Sequence, residues 1–498
     1  MVKTTEDIQE RAKRGIKLLM LRQIVLQILM FGGGIVLARV LEPAEFGLYA
    51  IATFLVGTLA LFGDFGLAPS FIQRKEELTE YDLRVGFTLQ QIITTVIVAI
   101  IFVVAPFLAR LYPKSPPETV WLIRALAFSL YLTSWRAMSA LQLERHLRYG
   151  PLAWIEVVTN LSYQATAVVL ALLKFGVWSF IWAVLLSQFL AAILVYLAAP
   201  WPIRFGFDKK IAKEILAYGI PFQLQAVVNQ MQHWVAPTLV AALIGPQAVG
   251  YLSWATANAK RPLALVDNVM RVAFPHFSRI QDDKKAVESV LTKYLTMLLM
   301  VAGFWFSVIL IAGPYMVRWI YTEKWANAIP ALIVCSAIVA TDSIAWATGM
   351  TLNALGNVRF VTRYLFVRHL FIILTGILLV FLIGFNGVPI ASLVIGVLMT
   401  PPLFIGFDKG AFKRILIPMA WIILPVIASI IVGGLSLKLP LSLVPYALTS
   451  AIVTSVVYVL VTLIICPMWV KNLMRSEAAK YFSSFGLKAK WLVKEQKV

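Results

Sequence analysis

The chain alternates long apolar runs with short clusters of charge, and the runs are continuous rather than alternating residue by residue. A stretch of roughly 20 apolar residues crosses a hydrocarbon core of about 30 Å as a helix, whereas a barrel strand would alternate apolar and polar positions. Read by apolar length and by the charges, glycines and prolines that interrupt it, the pattern predicts about 14 helical spans. They fall near 16–39, 47–70, 85–109, 119–141, 151–173, 177–199, 214–243, 248–273, 290–316, 326–352, 360–383, 388–405, 415–435 and 444–467, of which 248–273 is very polar. The fold class expected is an all-α polytopic membrane protein.

The turns between spans differ in charge on alternate sides. "RAKRGIK" near the start, "RKEELTEYDLR", "ERHLRYG", "RFGFDKKIAKE", "SRIQDDKKAVES", "NVRFVTR", "GFDKGAFKR" and the tail after Cys466 together hold about 31 of the 44 basic residues. The opposite turns hold about seven: Arg39, Arg110, Lys114, Lys174, Arg318, Lys324 and Lys438. Positive charge retained inside puts both termini in the cytoplasm and the protein in the cytoplasmic (inner) membrane.

Two of the basic turns are copies. "FGFDKKIAKEIL" at 205–216 reappears as "IGFDKGAFKRIL" at 405–416, and "LEPAEFGLY" at 41–49 aligns with "IGPQAVGYL" at 244–252, pairing Pro43 with Pro246 and Gly47 with Gly250. The period of about 200 residues contains six spans, an even number, so the two lobes have the same topology and are related by an axis along the membrane normal. This divides the chain into lobes 1–204 and 205–404, a hairpin 405–467 that begins like a third copy, and a tail 468–498. Such paired lobes suit alternating access to a central cavity.

Composition agrees with lipid as the solvent: 60% hydrophobic and 14% charged residues, far from the roughly quarter-charged soluble norm. The formal net charge of +20 lies mainly in cytoplasmic turns beside anionic headgroups, which removes the case for nucleic acid. Lys3 to Lys17 is long, mixed in charge and continuous with a full span, so no cleavable signal peptide is expected. Cys335 and Cys466 sit in apolar context and supply neither a disulfide framework nor a metal pattern.

Ionisable residues inside the spans are the candidate chemistry, because each costs at least about 2.5–3.5 kcal/mol at mid-helix unless it faces a cavity or a partner. The inventory leans to cations: Arg22, Arg124, Arg136, Lys260, Arg261 and Arg271, against Asp64, Glu156, Asp267 and Asp342. Gln225, Asn229 and His233 recur every four residues and share a helical face, and Lys260, Asp267 and Arg271 share a face of a continuous eighth span. The repeat sets Arg22 opposite Gln225. Structural readings compete: Arg124 and Arg271 lie near helix ends where they can snorkel, His233 can be a core hydrogen-bonding group, and Asp64 and Asp267 can neutralise neighbouring arginines. Arg22, Lys260 and Arg261 lack matching acids nearby in sequence, which makes an anionic substrate the economical partner. Asp64, Asp267 and Asp342 are candidates for ion coupling or charge balance.

"LARVLEPAEFGLYAIA", "DFGLAPSFIQRKEELTEYDL", "LERHLRY" and "YGIPFQLQAVVNQ…IGPQAVGYLS…FPHFSRIQDD" resemble, in order over roughly residues 14–400, the polysaccharide-transport family of the multidrug/oligosaccharidyl-lipid/polysaccharide exporter superfamily. The resemblance is to the branch of colanic and teichuronic type. It implies a 14-helix, two-lobed fold and translocation of polyprenyl-diphosphate-linked oligosaccharide to the outer leaflet, without catalysis or cofactor. Where members of that family often carry Asp-Arg late in span seven this chain has Ala236-Pro237, and an Arg expected near Ala257 is replaced by Lys260-Arg261.

Expected partners are the polyprenyl-diphosphate oligosaccharide, anionic membrane lipids and glycan-assembly proteins, with the chain a monomer. A multidrug cation antiporter of the same superfamily is the alternative, and would want an acidic, aromatic-lined cavity. A membrane glycosyltransferase or ligase would need more than the short outer loops, the longest near 317–325. A scaffold would tolerate apolar replacements of its intramembrane charges. In 468–498 aromatic and leucine residues alternate with lysines, as in an interfacial helix.

Overall fold

The computed structural model describes residues 25–61, 71, 78–146, 148–213, 230, 234, 236–262, 283–408, 410–436, 442–467 and 470. Among these the chain is helical with no strand. The helices are α1 (Val25–Val40), α2 (Pro43–Leu61), α3 (Glu80–Arg110), α4 (Thr119–Arg145), α5 (Tyr149–Leu172) and α6 (Trp178–Ala198), then α7, described over Ala236–Val240 and Ala241–Leu243, and α8 (Pro246–Ala259). They continue with α9 (Lys284–Ile311), α10 (Ile329–Ala354), α11 (Val358–Ile383), α12 (Gly387–Phe404), α13 (Ala411–Ser436) and α14 (Leu443–Ile465). Each predicted span overlaps one. Nine described stretches are long and apolar enough to cross a membrane, one of them holding both α11 and α12. Phe107, Leu197 and Phe381 lie exposed on their outer faces, as a lipid-facing surface requires. This is a multi-pass membrane protein.

The eighth span departs from expectation. Its helix stops at Ala259, and Lys260 to Pro262 form a turn in which the Lys260 N–H returns to the Thr256 carbonyl at 3.0 Å. Pro262 supplies no N–H and disfavours helical geometry in the residue before it, so the pattern breaks there. The face predicted to join Lys260, Asp267 and Arg271 therefore does not follow from a continuous helix, and 263–282 lies outside the described residues.

Local capping explains the repeated junctions. Asp208 Oδ1 accepts from the Lys210 and Ile211 N–H groups at 2.7 and 3.1 Å, and Asp408 Oδ1 accepts from the Gly410 N–H at 2.7 Å. In each copy the aspartate turns the chain into the next helix by holding its otherwise unpaired N–H groups. The second copy adds a fork from Arg414 to Glu288 on α9, at 3.0 and 2.6 Å.

The two sets of six helices share a core at one end only. Ile51, Ala52 and Leu55 of α2 join Val249, Leu252 and Ala255 of α8 and the fully buried Trp325 in one cluster. At the ends where α3 and α9 begin, the described cores are separate: Leu83, Phe87 and Met138 in the first set, Val287, Leu291 and Phe404 in the second. The shared end is tight because the repeat-related glycines cross. A Cβ on Gly47 would collide with the Pro246 carbonyl and stand 2.9 Å from the Gly250 nitrogen. One on Gly250 would collide with the Pro43 carbonyl and stand 3.1 Å from the Gly47 nitrogen. Without a hydrophobic drive between helices in lipid, such backbone approach supplies the association. The terminal hairpin packs on α9, where the Tyr458 hydroxyl donates to the Met300 carbonyl at 2.8 Å.

Candidate functional site

Below the glycine crossing lies a cavity of about 770 Å³. The first set of helices lines it with Gly34, Phe46, Tyr49 and Thr53; among the described residues the second contributes every charge, namely Lys260, Arg261, Asp342 and Arg368. Asp342 is midway along α10, Arg368 is well inside α11, and the turn after α8 carries the other two.

These groups divide into two units. In the first, Arg368 Nη2 donates to Asp342 Oδ1 at 2.7 Å while Lys260 Nζ lies 3.4 Å from Asp342 Oδ2. The Arg368 side chain is 5% exposed, and its Nε has no acceptor among the described residues. In the second, Arg261 Nε donates to Asn258 Oδ1 at 2.9 Å, the acceptor that also receives the Tyr321 hydroxyl at 3.2 Å. The Arg261 guanidinium then reaches across to α1, where it lies 4.7 Å from the Phe31 ring centroid. Among the described residues it meets no carboxylate. Burial raises the Tyr321 phenol above its ordinary range, with Arg261 opposing, so it serves Asn258 as a donor at neutral pH. Among the described residues, three cations against one carboxylate give the cavity lining a formal surplus of two positive charges.

Of the residues singled out in the sequence, the structure brings Lys260, Arg261 and Asp342 together. It puts Lys260 on a carboxylate distant in sequence, a partner that nearness along the chain could not reveal. Arg124 is elsewhere: its Nε and Nη2 donate to the Phe102 carbonyl at 3.3 and 3.0 Å, and its guanidinium covers the Phe102 and Trp121 rings between α3 and α4. Arg136 is part-buried on α4 with Glu156 and Glu144 as electrostatic partners and does not line the cavity. Arg22, Gln225, Asn229, His233, Arg271, Asp64 and Asp267 lie outside the described residues. Arg368 was missed, although an arginine well inside a predicted span carried the same signal as the others. No group of described residues has the makings of a metal site.

A second set of cations closes the shared end, at the turns assigned to the outside by charge. Arg39 of the first set donates from Nε and Nη2 to the Ile320 and Trp319 carbonyls of the second, at 2.6 and 2.9 Å. Lys324 answers from the second set, donating to the Arg39 and Leu41 carbonyls, both at 2.8 Å. Trp325 Nε1 donates to the Ala38 carbonyl at 2.8 Å, and Lys114 Nζ to that of Leu243 at 2.6 Å. Most of these acceptors are the free carbonyls of helix C-termini, where the helix dipole favours a cation. Sequence reading had counted these lysines and arginines only as turn charge.

Residues 36–330 match the model of a family described as polysaccharide biosynthesis protein. Among similar proteins, the succinoglycan biosynthesis transport protein ExoT of Rhizobium meliloti (strain 1021) is 27% identical over 60% of this chain and 60% of its own length. The lipopolysaccharide biosynthesis protein WzxC of Escherichia coli (strain K12) is 22% identical over 65% of this chain and 66% of its own. The chain thus spans somewhat under two thirds of either relative. In fold it is similar to the lipid II flippase MurJ in an inward closed conformation, with a TM-score of 0.73 and 16% identity over 91% of this chain and 99% of that one. It is also similar to an inward-facing multidrug resistance MATE family transporter of the MOP superfamily, with a TM-score of 0.60 and 16% identity over 78% of this chain and 94% of that one.

Proposed function

We propose that this chain, which belongs to the polysaccharide biosynthesis protein family, is a flippase that carries polyprenyl-diphosphate-linked oligosaccharide repeat units across the cytoplasmic membrane by alternating access. The observation that carries this reading is the surplus of positive charge at mid-helix depth. A buried guanidinium or ammonium needs an anion, and diphosphate oxygens match arginine in both charge and geometry. The cavity volume falls in the roughly 300–1,000 Å³ range of small-molecule sites, which suits a diphosphate and its first sugars but leaves a polyprenyl tail in lipid. With the cell interior negative, outward movement of an anion gains about 2.3 kcal/mol per charge per 100 mV.

In this reading the lobes 1–204 and 205–404 rock about the cavity, the hairpin 405–467 rides on the second, both termini are cytoplasmic, and the seam of helix-capping cations is the closed outer gate. The reading as a drug antiporter is weaker, since the one carboxylate among the described lining residues is already held by two cations. Liposomes containing the purified protein and a polyprenyl-diphosphate oligosaccharide test the reading. Sugar initially inside should become accessible to an external glycosidase faster than in protein-free vesicles. Equal rates over a range of glycans and imposed ion gradients refute it.

A further inference from the structure

We infer that Asp342 is a resident anion: it occupies, in the empty protein, the position between Lys260 and Arg368 that a phosphate of the substrate takes when bound. The inference rests on the cavity being a diphosphate site and adds to it which cations grip the phosphate and what sets the selectivity. Each oxygen of the carboxylate faces a different cation, Oδ1 toward Arg368 at 2.7 Å and Oδ2 toward Lys260 at 3.4 Å. A phosphate presents two oxygens over a similar span and can replace the carboxylate oxygen for oxygen.

Three features favour exchange over a fixed structural pair. All three side chains line the open cavity rather than a packed helix interface. The Lys260 contact is longer than the Arg368 contact, and its side chain is 34% exposed, so the lysine is free to turn toward a ligand. Arg368 Nε is buried without an acceptor among the described residues, an unmet donor on a guanidinium with a carboxylate already on Nη2. A carboxylate supplies two oxygens; a diphosphate brings several more, enough to satisfy that donor as well.

An anion is required in both states, because two uncompensated cations at this depth would be costly. Asp342 supplies it between transport events. It also imposes a threshold. A ligand must outcompete a carboxylate already in place, which a diphosphate does with its greater charge and oxygen count and a monophosphate does poorly. Arg368 thereby becomes a binding residue for the substrate and Asp342 a specificity-determining one.

The full chain in nanodiscs, titrated calorimetrically with farnesyl diphosphate and farnesyl monophosphate, tests this with Asp342→Asn. Removing the competitor should tighten both ligands, the monophosphate more, so that the preference for diphosphate falls by about tenfold, within the span of typical site couplings. Weaker or unchanged binding, with the preference intact, overturns the inference and leaves the aspartate as structural charge balance. Should Asp342→Asn fail to fold, the charge-neutral double variant Asp342→Asn/Arg368→Gln decides. It should bind the two ligands about equally, and a wild-type preference in it overturns the exchange. Wild-type protein that binds neither ligand removes the diphosphate reading itself, a result distinct from either.

Discussion

At the seam each cation ends on backbone carbonyls of the opposite set of helices, whereas in the central cavity, among the described residues, two cations share one carboxylate and a third, Arg261, meets none. Most seam acceptors are neutral, directional helix ends, and the one carboxylate among the described partners of these cations, Glu42 at 3.5 Å from Lys324 Nζ, is largely exposed, so separating the halves returns them to water at modest cost. In the proposed alternating-access reading, such contacts hold a closed state that can still open. Among the described residues the cavity cations meet one carboxylate and one amide oxygen, and the charge left over is available to a ligand. One chain therefore uses lysine and arginine in two ways, and what distinguishes them is the acceptor.

The largest effect that sharpens this contrast is expected from Lys260→Ala/Arg261→Ala. Loss of buried, hydrogen-bonded charge contacts should lower translocation by roughly a hundredfold, in line with truncating one side of such pairs. Next, Gly250→Leu forces a side chain into the Pro43 carbonyl, with a cost of about 1–3 kcal/mol if the helices stay together. Spin labels on the turns 41–42 and 244–245 should report a widened seam, and an unchanged distance would separate the crossing from gating.

Arg39→Ala/Lys324→Ala comes third, at about 1 kcal/mol for each partly solvated cation removed, shifting the halves toward opening in the same distance measurement. Its equilibrium affinity for a polyprenyl diphosphate should be near wild type, since neither side chain lines the cavity.

The smallest effect lies at the second repeated junction. Bonds from Arg414 and from the Gly410 N–H hold the Asp408 carboxyl below its usual range. Its contribution is thus present above the ordinary carboxylate pKa and lost as pH falls through the depressed value. Asp408→Asn should lower the melting temperature slightly at neutral pH and leave it unchanged at pH values below the depressed pKa, so that the acid limb of the melting profile flattens.

Much of the fold was legible because lipid makes helix length and turn charge strong signals. The pairing of Pro43 with Pro246 and Gly47 with Gly250 was readable as a repeat, but that the copies press against each other required the structure. Lys260, Arg261 and Asp342 were found as ionisable residues inside spans. The Lys260–Asp342 and Arg368–Asp342 pairs were not, since their partners lie on different helices and helical periodicity relates only neighbours on one. The seam was invisible for a related reason: its acceptors are backbone carbonyls, which every residue has, so no side-chain pattern marks them. The eighth span was drawn as one continuous helix across the turn at 260–262, which contains Pro262.

The central claim is that the cavity cations carry the substrate while the seam cations hold a gate. It is tested most directly by measuring translocation and equilibrium binding of a polyprenyl-diphosphate oligosaccharide side by side for wild type, Lys260→Ala/Arg261→Ala and Arg39→Ala/Lys324→Ala. The account predicts that the cavity variant loses both, and that the seam variant keeps binding while its rate changes. A cavity variant that binds and translocates like wild type would contradict it.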